Sequence, residues 1–251
     1  MKRKVAIITG AARGIGYGIA ICLARKGVNV AIADMNGDAA RKSAATLAKE
    51  TGVETLGVAC DVTRRAQVQK VVQQTLKRFG QIDILVNNAG ICPFVDVMEM
   101  PEAMFRRTID VNLTGAFHCT QLVGKEMIKR GKGGRVIFIT SLAVNVTGPA
   151  QGDYAASKAG MHMLMKTFAI ALGRYGITCN GVAPGMILTD MTKHHWAKPG
   201  PAKFIRQRVP VGRIGTPEDI GNAVALLVSD EAAYINGAGL IVDGGHQAVC
   251  A

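Results

Sequence analysis

The sequence predicts an α/β protein, a single doubly wound domain whose seven-stranded parallel sheet carries helices on both faces. Short apolar runs bounded by turn residues alternate with longer stretches of helical periodicity. The apolar runs are continuous, as expected for strands that are buried on both faces. Hydrophobic residues make up 49% of the chain and aromatic residues only 5%, which favours aliphatic strands beneath helices.

The elements follow one another in a regular order. The predicted strands are 5–9 (VAIIT), 28–33 (VNVAIA), 54–60 (ETLGVAC), 82–88 (IDILVNN), 135–140 (RVIFIT), 177–184 (ITCNGVAP) and 239–245 (GLIVDGG). The first three are followed by helical stretches, GIGYGIAICLARKG, GDAARKSAATLAKETG and RRAQVQKVVQQTLKRFG. No low-complexity run or linker divides the chain, so residues 1–251 are predicted to form one domain.

Charge and cysteine content restrict the class of protein. The formal net charge is +12, but the lysines and arginines are scattered through helical segments, which predicts a solvated basic surface and no nucleic-acid partner. The six cysteines are far apart and form no CxxC motif, which is typical of reduced thiols in the cytoplasm. No apolar stretch reaches the ~20 residues of a membrane span, so no membrane partner is expected.

A glycine-rich turn follows the first strand. In TGAARGIG, Gly10, Gly14 and Gly16 stand between a strand and a helical stretch. Such a turn brings backbone N–H groups close to phosphate, and a helix N-terminus adds about half a positive charge. In this position the motif predicts a Rossmann-type dinucleotide site.

Asp34 ends the second strand, where a carboxylate is expected to accept hydrogen bonds from the adenosine ribose. A carboxylate there also repels a 2′-phosphate, which favours NAD over NADP. Arg13 argues the other way, since a cation within the glycine turn would attract that phosphate. NAD is therefore the predicted cofactor, and NADP is the less favoured alternative.

Ser141, Tyr154 and Lys158 have the chemistry needed for alcohol oxidation. Ser141 follows the fifth strand, and Tyr154 and Lys158 have the spacing of one helical face. An alcohol that gives up a hydride must also lose a proton, and a free tyrosine with a pKa near ~10 is too weak a base. A cation at about 4 Å would lower that pKa by about three units, so Lys158 is expected to activate Tyr154.

The motifs TGAARGIG, NNAG, YAASK and PGMILT, in this order and at these separations, resemble those of the short-chain dehydrogenase/reductase family over nearly the whole chain. The resemblance implies a catalytic set in which Tyr154 is the acid/base, Lys158 lowers its pKa and holds the nicotinamide ribose, and Ser141 hydrogen-bonds the reacting oxygen. Asn112, in DVNLTG, matches the asparagine that holds a helix and a water for proton relay. The resemblance also implies a homotetramer built on the long central helices and the C-terminal LIVDGGHQAVCA.

The same resemblance implies the cofactor contacts. Gly10, Gly14, Ile15 and Gly16 would form the pyrophosphate turn, with Arg13 beside them. Asp61 and Val62 would contact adenine, and Asn88, Ala89 and Gly90 would line its ribose side. After Pro184 and Gly185, the residues Ile187 and Thr189 would bind the carboxamide and phosphate.

Residues 186–210 depart from the α/β rhythm and are predicted to form a substrate lid. The lid contains His194 and His195, but adjacent side chains diverge and no other ligand accompanies them, so no metal is expected. Its cations leave open an anionic substrate. Gln151, just before Tyr154, is placed to hydrogen-bond a polyhydroxy substrate or to cap the helix.

Within the family, the segments NNAGICPF, AIALGRYGITCN and RVPVGRIGTPED are most similar to bacterial sugar dehydrogenases of the L-rhamnose type. The predicted substrate is therefore an aldose or polyol. Similar segments occur in 3-oxoacyl-[acyl-carrier-protein] reductases, which mostly use NADP, and this carbonyl reduction remains an alternative. A non-catalytic dinucleotide- or RNA-binding protein is the alternative from another class, and the intact catalytic set argues against it.

Overall fold

The structure is a computed structural model that describes residues 3–190, 192 and 207–249. Within these residues, seven strands form one sheet in the order β3-β2-β1-β4-β5-β6-β7, and every neighbouring pair is parallel. The strands are β1 (Val5–Thr9), β2 (Asn29–Asp34), β3 (Thr55–Ala59), β4 (Ile84–Asn87), β5 (Gly134–Ile139), β6 (Ile177–Pro184) and β7 (Gly239–Val242). The predicted fold class is confirmed.

Helices connect the strands and cover both faces of the sheet. They are α1 (Gly14–Arg25), α2 (Gly37–Thr51), α3 (Arg65–Phe79), α4 (Glu102–Ile109), α5 (Gly115–Arg130), α6 (Gly152–Gly173), α7 (Pro217–Leu227) and α8 (His246–Val249). A π-helical turn, Asp110–Thr114, joins α4 to α5, and two 3₁₀ turns, Leu142–Val144 and Pro149–Gln151, lie between β5 and α6. No helix in the described ranges is long and apolar enough to cross a membrane.

Two hydrophobic cores explain why the strands are continuously apolar. Neighbouring residues of a strand point to opposite faces. Ile7 therefore belongs to one core, with residues of α3, α5 and α6, whereas Ile8 belongs to the other, with residues of α1, α2 and α7. Both isoleucines are almost fully buried.

The chain reverses its direction of winding between β1 and β4. From β1 it proceeds outward to β2 and β3, then returns to β4 on the other side of β1. In open α/β sheets the crevice at such a point, outside the carboxyl ends of the strands, is where ligands bind. The structure brings the predicted site residues to this edge. The lid 186–210 lies largely outside the described residues, so the lid and the single domain 1–251 stay predictions.

Candidate active site

The glycine turn between β1 and α1 has the backbone geometry of an anion cradle. Gly10 and Gly14 have φ of +62° and +59°, a region that favours glycine. A Cβ on Gly16 would lie only 2.5 Å from the carbonyl oxygen of Gly10, so the turn closes tightly there. The side chain of Arg13, the residue before α1, accepts no hydrogen bond from the first N–H groups of the helix. The first N–H groups of α1 are therefore left for another acceptor, such as a phosphate.

Asn88 and Thr9 hold this turn against the sheet. The amide Nδ2 of Asn88 donates to the carbonyl oxygens of Thr9 and Gly10, both at 2.9 Å. The hydroxyl of Thr9 accepts from the backbone N–H of Asn88 at 3.0 Å and of Ala89 at 3.1 Å. The Asn88 side chain thus supports the glycine turn. Sequence reasoning missed Thr9, although a polar residue that ends an otherwise apolar strand is a signal for such a role.

Asp34 lies where the sequence places it, at the carboxyl end of β2. One carboxylate oxygen accepts from Ala12 N at 3.0 Å and the other accepts from Asn36 N at 3.0 Å. Asp34 therefore joins the glycine turn to the turn that follows β2. Arg13 Nη1 lies 3.6 Å from a carboxylate oxygen of Asp190, a partner that sequence reasoning missed.

The predicted adenine contacts lie at the same edge of the sheet, just beyond β3. Cys60 N donates to the carbonyl oxygen of Asp34 at 2.8 Å, which fixes the start of this loop. Asp61 accepts from the backbone N–H of Thr63 at 3.0 Å and from its hydroxyl at 2.8 Å. Val62 is buried, and its carbonyl oxygen lies 3.1 Å from Nδ1 of His118.

The segment after β6 lies opposite the glycine turn. Gly185 N, directly after Pro184, donates to the carbonyl oxygen of Val242 at 3.0 Å, and Ile187 is buried. A Cβ on Gly14 would lie 3.9 Å from the Thr189 methyl group, so Thr189 faces the predicted phosphate position. Ile15 is partly buried and packs against a core.

Ser141, Tyr154 and Lys158 meet beyond the end of β5. The Ser141 side chain lies close enough to the Tyr154 phenol to lower its pKa. The Lys158 ammonium donates to the carbonyl oxygen of Ile139 at 2.7 Å and lies 5.6 Å from the centre of the Tyr154 ring. A Cβ on Gly90 would lie 3.5 Å from this ammonium, so Gly90 lies against Lys158. The structure thus unites the predicted catalytic residues.

Asn112 joins this group from the π-helical turn. Its Oδ1 accepts from Ile91 N at 2.8 Å, and its Nδ2 donates to the Ile91 carbonyl oxygen at 3.0 Å and to the Ser157 hydroxyl at 2.9 Å. Single π turns within helices are frequent at functional sites. The predicted role of Asn112 in holding neighbouring elements matches these contacts.

The pKa values of Tyr154 and Lys158 correct the expectation that Lys158 lowers the pKa of Tyr154. Burial raises the pKa of the Tyr154 phenol from 10.0 to about 12, and the hydrogen bond from Ser141 offsets only part of that shift. Burial also lowers the pKa of Lys158 from 10.5 to about 8. The net shift of the tyrosine is opposite to the predicted one, because desolvation dominates and the ammonium is directed to Ile139.

Gln151, the predicted substrate contact, lies beside a cysteine that sequence reasoning did not consider for the site. Gln151 precedes α6 but makes no side-chain cap, and its Nε2 lies 4.0 Å from the sulfur of Cys92. Burial raises the pKa of the Cys92 thiol to about 11, so this group is neutral near pH 7. Phe94, two residues further on, has a φ of +58°, a strained value for a residue with a side chain. The position of Cys92 just after NNAG is the signal that could have identified it.

No three His, Cys, Asp or Glu side chains in the described parts of the chain are grouped so as to hold a metal ion. His194 and His195 lie outside those parts.

Comparisons with known proteins show which family the chain belongs to. A family model described as enoyl-(acyl carrier protein) reductase matches residues 10–247. An L-rhamnose 1-dehydrogenase (NAD(P)(+)) of Sphingomonas sp. (strain SKA58) is 39% identical over 245 residues, which cover 98% of this chain and 96% of the relative. A 3-oxoacyl-[acyl-carrier-protein] reductase of Synechocystis sp. is 40% identical over 243 residues, 96% of each chain. A crystal structure of a short-chain type dehydrogenase/reductase from Mycobacterium marinum superposes with a TM-score of 0.90 at 33% identity, covering 97% of this chain and 95% of that one.

Proposed function

Because this chain belongs to the short-chain dehydrogenase/reductase family, we propose that its site oxidises a hydroxyl group of a sugar or polyol with NAD as the hydride acceptor. The observation that carries the proposal is the meeting of Ser141, Tyr154 and Lys158 beside a glycine turn at the crevice of the sheet. The Sphingomonas relative, named for an aldose dehydrogenase, supports the substrate class.

The residues of the crevice fit a dinucleotide. The uncapped start of α1 and the tight approach at Gly16 suit a pyrophosphate, and Thr189 faces the same position across Gly14. Asp34 would accept the ribose hydroxyls, and the segment Gly185–Thr189 would hold the carboxamide. When bound, the oxidised nicotinamide supplies a hydride acceptor and a positive charge.

The protein residues then have separate tasks at the reacting alcohol. Ser141 holds the alcohol oxygen by a hydrogen bond, and Tyr154 Oη takes the hydroxyl proton. Burial disfavours the phenolate, whereas a nearby positive charge favours it. Lys158, with a pKa of about 8, is mostly protonated at pH 7 and can exchange protons near neutral pH. Asn112 holds the loop at Ile91 against α6, which keeps this group together.

Two contacts support NAD over NADP. The Asp34 carboxylate faces the glycine turn, where it would repel a 2′-phosphate. Arg13, the cation that would attract that phosphate, is paired with Asp190. Both side chains of this pair are more than half exposed, so the pair contributes at most about 1 kcal/mol. We therefore expect a preference for NAD with residual use of NADP.

The second candidate is NADPH-dependent reduction of a 3-oxoacyl thioester, which the Synechocystis relative favours. The two candidates differ in the groups that the substrate presents. Gln151 beside Cys92 offers an amide to a polyhydroxy substrate. A non-catalytic dinucleotide- or RNA-binding role is not favoured, because it does not explain why Ser141, Tyr154 and Lys158 lie together.

A substrate panel tests the proposal. Aldoses including L-rhamnose, polyols, hydroxy acids and acetoacetyl thioesters are assayed at 340 nm with each nicotinamide cofactor. We expect the highest kcat/KM for an aldose or polyol with NAD. Turnover confined to oxoacyl thioesters with NADPH would establish the second candidate, and a lack of turnover beside tight, salt-sensitive RNA binding would support the binding protein.

We also propose a homotetramer in the cytoplasm. Large apolar side chains are exposed on α6, at Met163 and Ile170, and on the edge strand β7, at Leu240 and Ile241. Contiguous exposed apolar surface marks association sites. The cysteines within the described residues are free thiols, which suits a reducing compartment.

A further inference from the structure

Two hydrogen-bonded pairs of side chains connect α6 to the segment formed by α4 and the π turn. Thr108 Oγ1 donates to a carboxylate oxygen of Asp153 at 2.6 Å, and Asn112 Nδ2 donates to Ser157 Oγ at 2.9 Å. Thr108 and Asn112 are four residues apart, and so are Asp153 and Ser157. The two hydrogen bonds therefore lie about one helical turn apart along both segments. We call these two contacts the polar ladder.

Each pair of the polar ladder adjoins a catalytic residue. Asp153 directly precedes Tyr154, and Ser157 directly precedes Lys158. The Ser157 hydroxyl also donates to the Tyr154 carbonyl oxygen at 2.7 Å. The polar ladder therefore fixes the turn of α6 that carries both catalytic side chains.

The four side chains of the polar ladder are completely buried, with a relative exposure of 0% for Thr108, Asn112, Asp153 and Ser157. Removing a buried carboxylate from water is costly unless hydrogen bonds replace its hydration. Asp153 has such bonds, from Thr108 Oγ1 and from the backbone N–H of Tyr154 at 2.7 Å. An apolar pair would fill this space without that cost, so packing alone does not account for a carboxylate here.

The start of α6 shows what the carboxylate does. A residue before a helix commonly caps its first N–H groups, but Gln151 makes no such side-chain bond. Asp153 accepts the Tyr154 N–H instead, from within the first turn. Because Thr108 binds the other carboxylate oxygen, the N–H of Tyr154 is linked through Asp153 to the end of α4.

We propose that Thr108 and Asp153 are positioning residues that hold Tyr154 in place beside Ser141 and Lys158. This inference rests on the proposed acid/base role of Tyr154. Reactions of this kind are sensitive to position, since a misplacement of about 1 Å can cost about 100-fold in rate. Loss of one contact that leaves the helix in place should cost less, about 10-fold.

Thr108→Val tests the inference, because valine has nearly the same shape and replaces the hydroxyl that binds Asp153 by a methyl group. We expect kcat for the alcohol to fall about 10-fold, while KM for the cofactor stays within about 2-fold. The pH at which kcat rises should also move upward, since a phenol displaced from Ser141 loses the hydrogen bond that lowers its pKa. Thr108→Ser, which restores the hydroxyl, should return both kcat and the pH profile close to the wild type.

Thr75→Val is the matched control. Thr75 lies in α3, is equally buried at 0%, and donates to the Val71 carbonyl oxygen at 2.8 Å. The same substitution there removes a buried helical hydrogen bond away from the site, so kcat and the pH profile should not change. A further test adds Thr108→Val to Asp153→Ala. If the two residues act as one unit, Thr108→Val lowers kcat less in the Asp153→Ala background than it does in the wild type.

The inference is overturned if Thr108→Val keeps the wild-type kcat and pH profile. It is also overturned if the loss in Thr108→Val is matched by Thr75→Val, or if serine fails to restore activity in a folded variant. A Tyr154→Phe variant measured in parallel separates this result from the proposed function. Near-normal turnover without the phenol would contradict the acid/base role itself, whatever the outcome at Thr108.

Discussion

Lys158 is buried, although its proposed role requires a charged ammonium group. Its side chain is 3% exposed, and burial lowers its pKa from 10.5 to about 8. Its one hydrogen bond in the structure, to the Ile139 carbonyl oxygen, does not offset the loss of water. The protein thus keeps a costly ammonium beside Tyr154, which is understandable only if that charge or its proton is used.

The conflict at Lys158 predicts how stability depends on pH. Its pKa in the folded state lies below the unfolded value, so the unfolded state binds more protons between pH 8 and 10.5. The contribution of Lys158 to the unfolding free energy therefore rises from pH 8 to 10 and is lost as pH falls. Lys158→Met removes this dependence.

Urea unfolding of wild type and Lys158→Met at several values of pH measures the effect. The difference in unfolding free energy should move in favour of the wild type by about 2 kcal/mol between pH 8 and 10. Other groups titrate in this range, but they are common to both proteins. A difference that is constant with pH would contradict the lowered pKa.

At the scale of elements, we expect the turn between β1 and α1 to determine whether a dinucleotide binds. The end of β1 contacts the Asn88 amide and the start of α1 there. The contact leaves no room for a side chain at Gly16. A Cβ on Gly16 would lie 2.5 Å from the Gly10 carbonyl oxygen and 2.6 Å from Asn88 Nδ2. Both of these atoms belong to the hydrogen bonds that hold the turn.

Gly16→Ala should therefore weaken cofactor binding at least 10-fold, because the turn must open to admit the methyl group. Titration of NADH fluorescence gives the dissociation constant, and circular dichroism checks that the variant folds. Gly124→Ala in α5 is the matched control, since its Cβ would meet Leu172 only at 3.5 Å, an ordinary contact. Equal affinities of the two variants would show that the turn does not form the pyrophosphate site.

At the scale of the whole molecule, the pattern of apolar runs in the sequence correctly predicted a seven-stranded parallel sheet. Strands buried on both faces are continuously apolar, as Ile7 and Ile8 illustrate by entering different cores. The meeting of Ser141 and Tyr154 was also predictable, because Ser141 follows the carboxyl end of β5 and the segment that leads from it to Tyr154, at the start of α6, is long enough to fold back over that end.

Contacts between segments far apart in sequence could not be predicted in this way. The pairing of Thr108 with Asp153 depends on how α4 crosses α6, and the pairing of Arg13 with Asp190 depends on the path of the chain after β6. The raised pKa of Tyr154 escaped prediction for a similar reason. Spacing reveals a neighbouring cation, but not the degree of burial that opposes it.

Association is a further property of the whole molecule. The exposed apolar residues of α6 and β7 indicate surfaces for association. For the homotetramer that the family resemblance implies, light scattering should give four times the 26.5 kDa mass of the chain. Ile170, with a relative exposure of 83%, is the residue to change. Ile170→Glu should lower the mass measured by light scattering. Met35→Glu is the control, because Met35 is 70% exposed but follows β2, far from β7 in the strand order, and it should leave the mass unchanged. A monomeric wild type would contradict the assembly.

The most direct test of the central claim is the turnover of Tyr154→Phe, which removes the proton acceptor and keeps the ring. We expect kcat for the best substrate of the panel to fall by at least about 1,000-fold, with the NADH dissociation constant within about 3-fold of the wild type. Tyr175→Phe, which removes a hydroxyl at the far end of α6 that accepts from Arg174 at 2.8 Å, should leave kcat unchanged. Near-normal turnover by Tyr154→Phe would contradict the proposed mechanism.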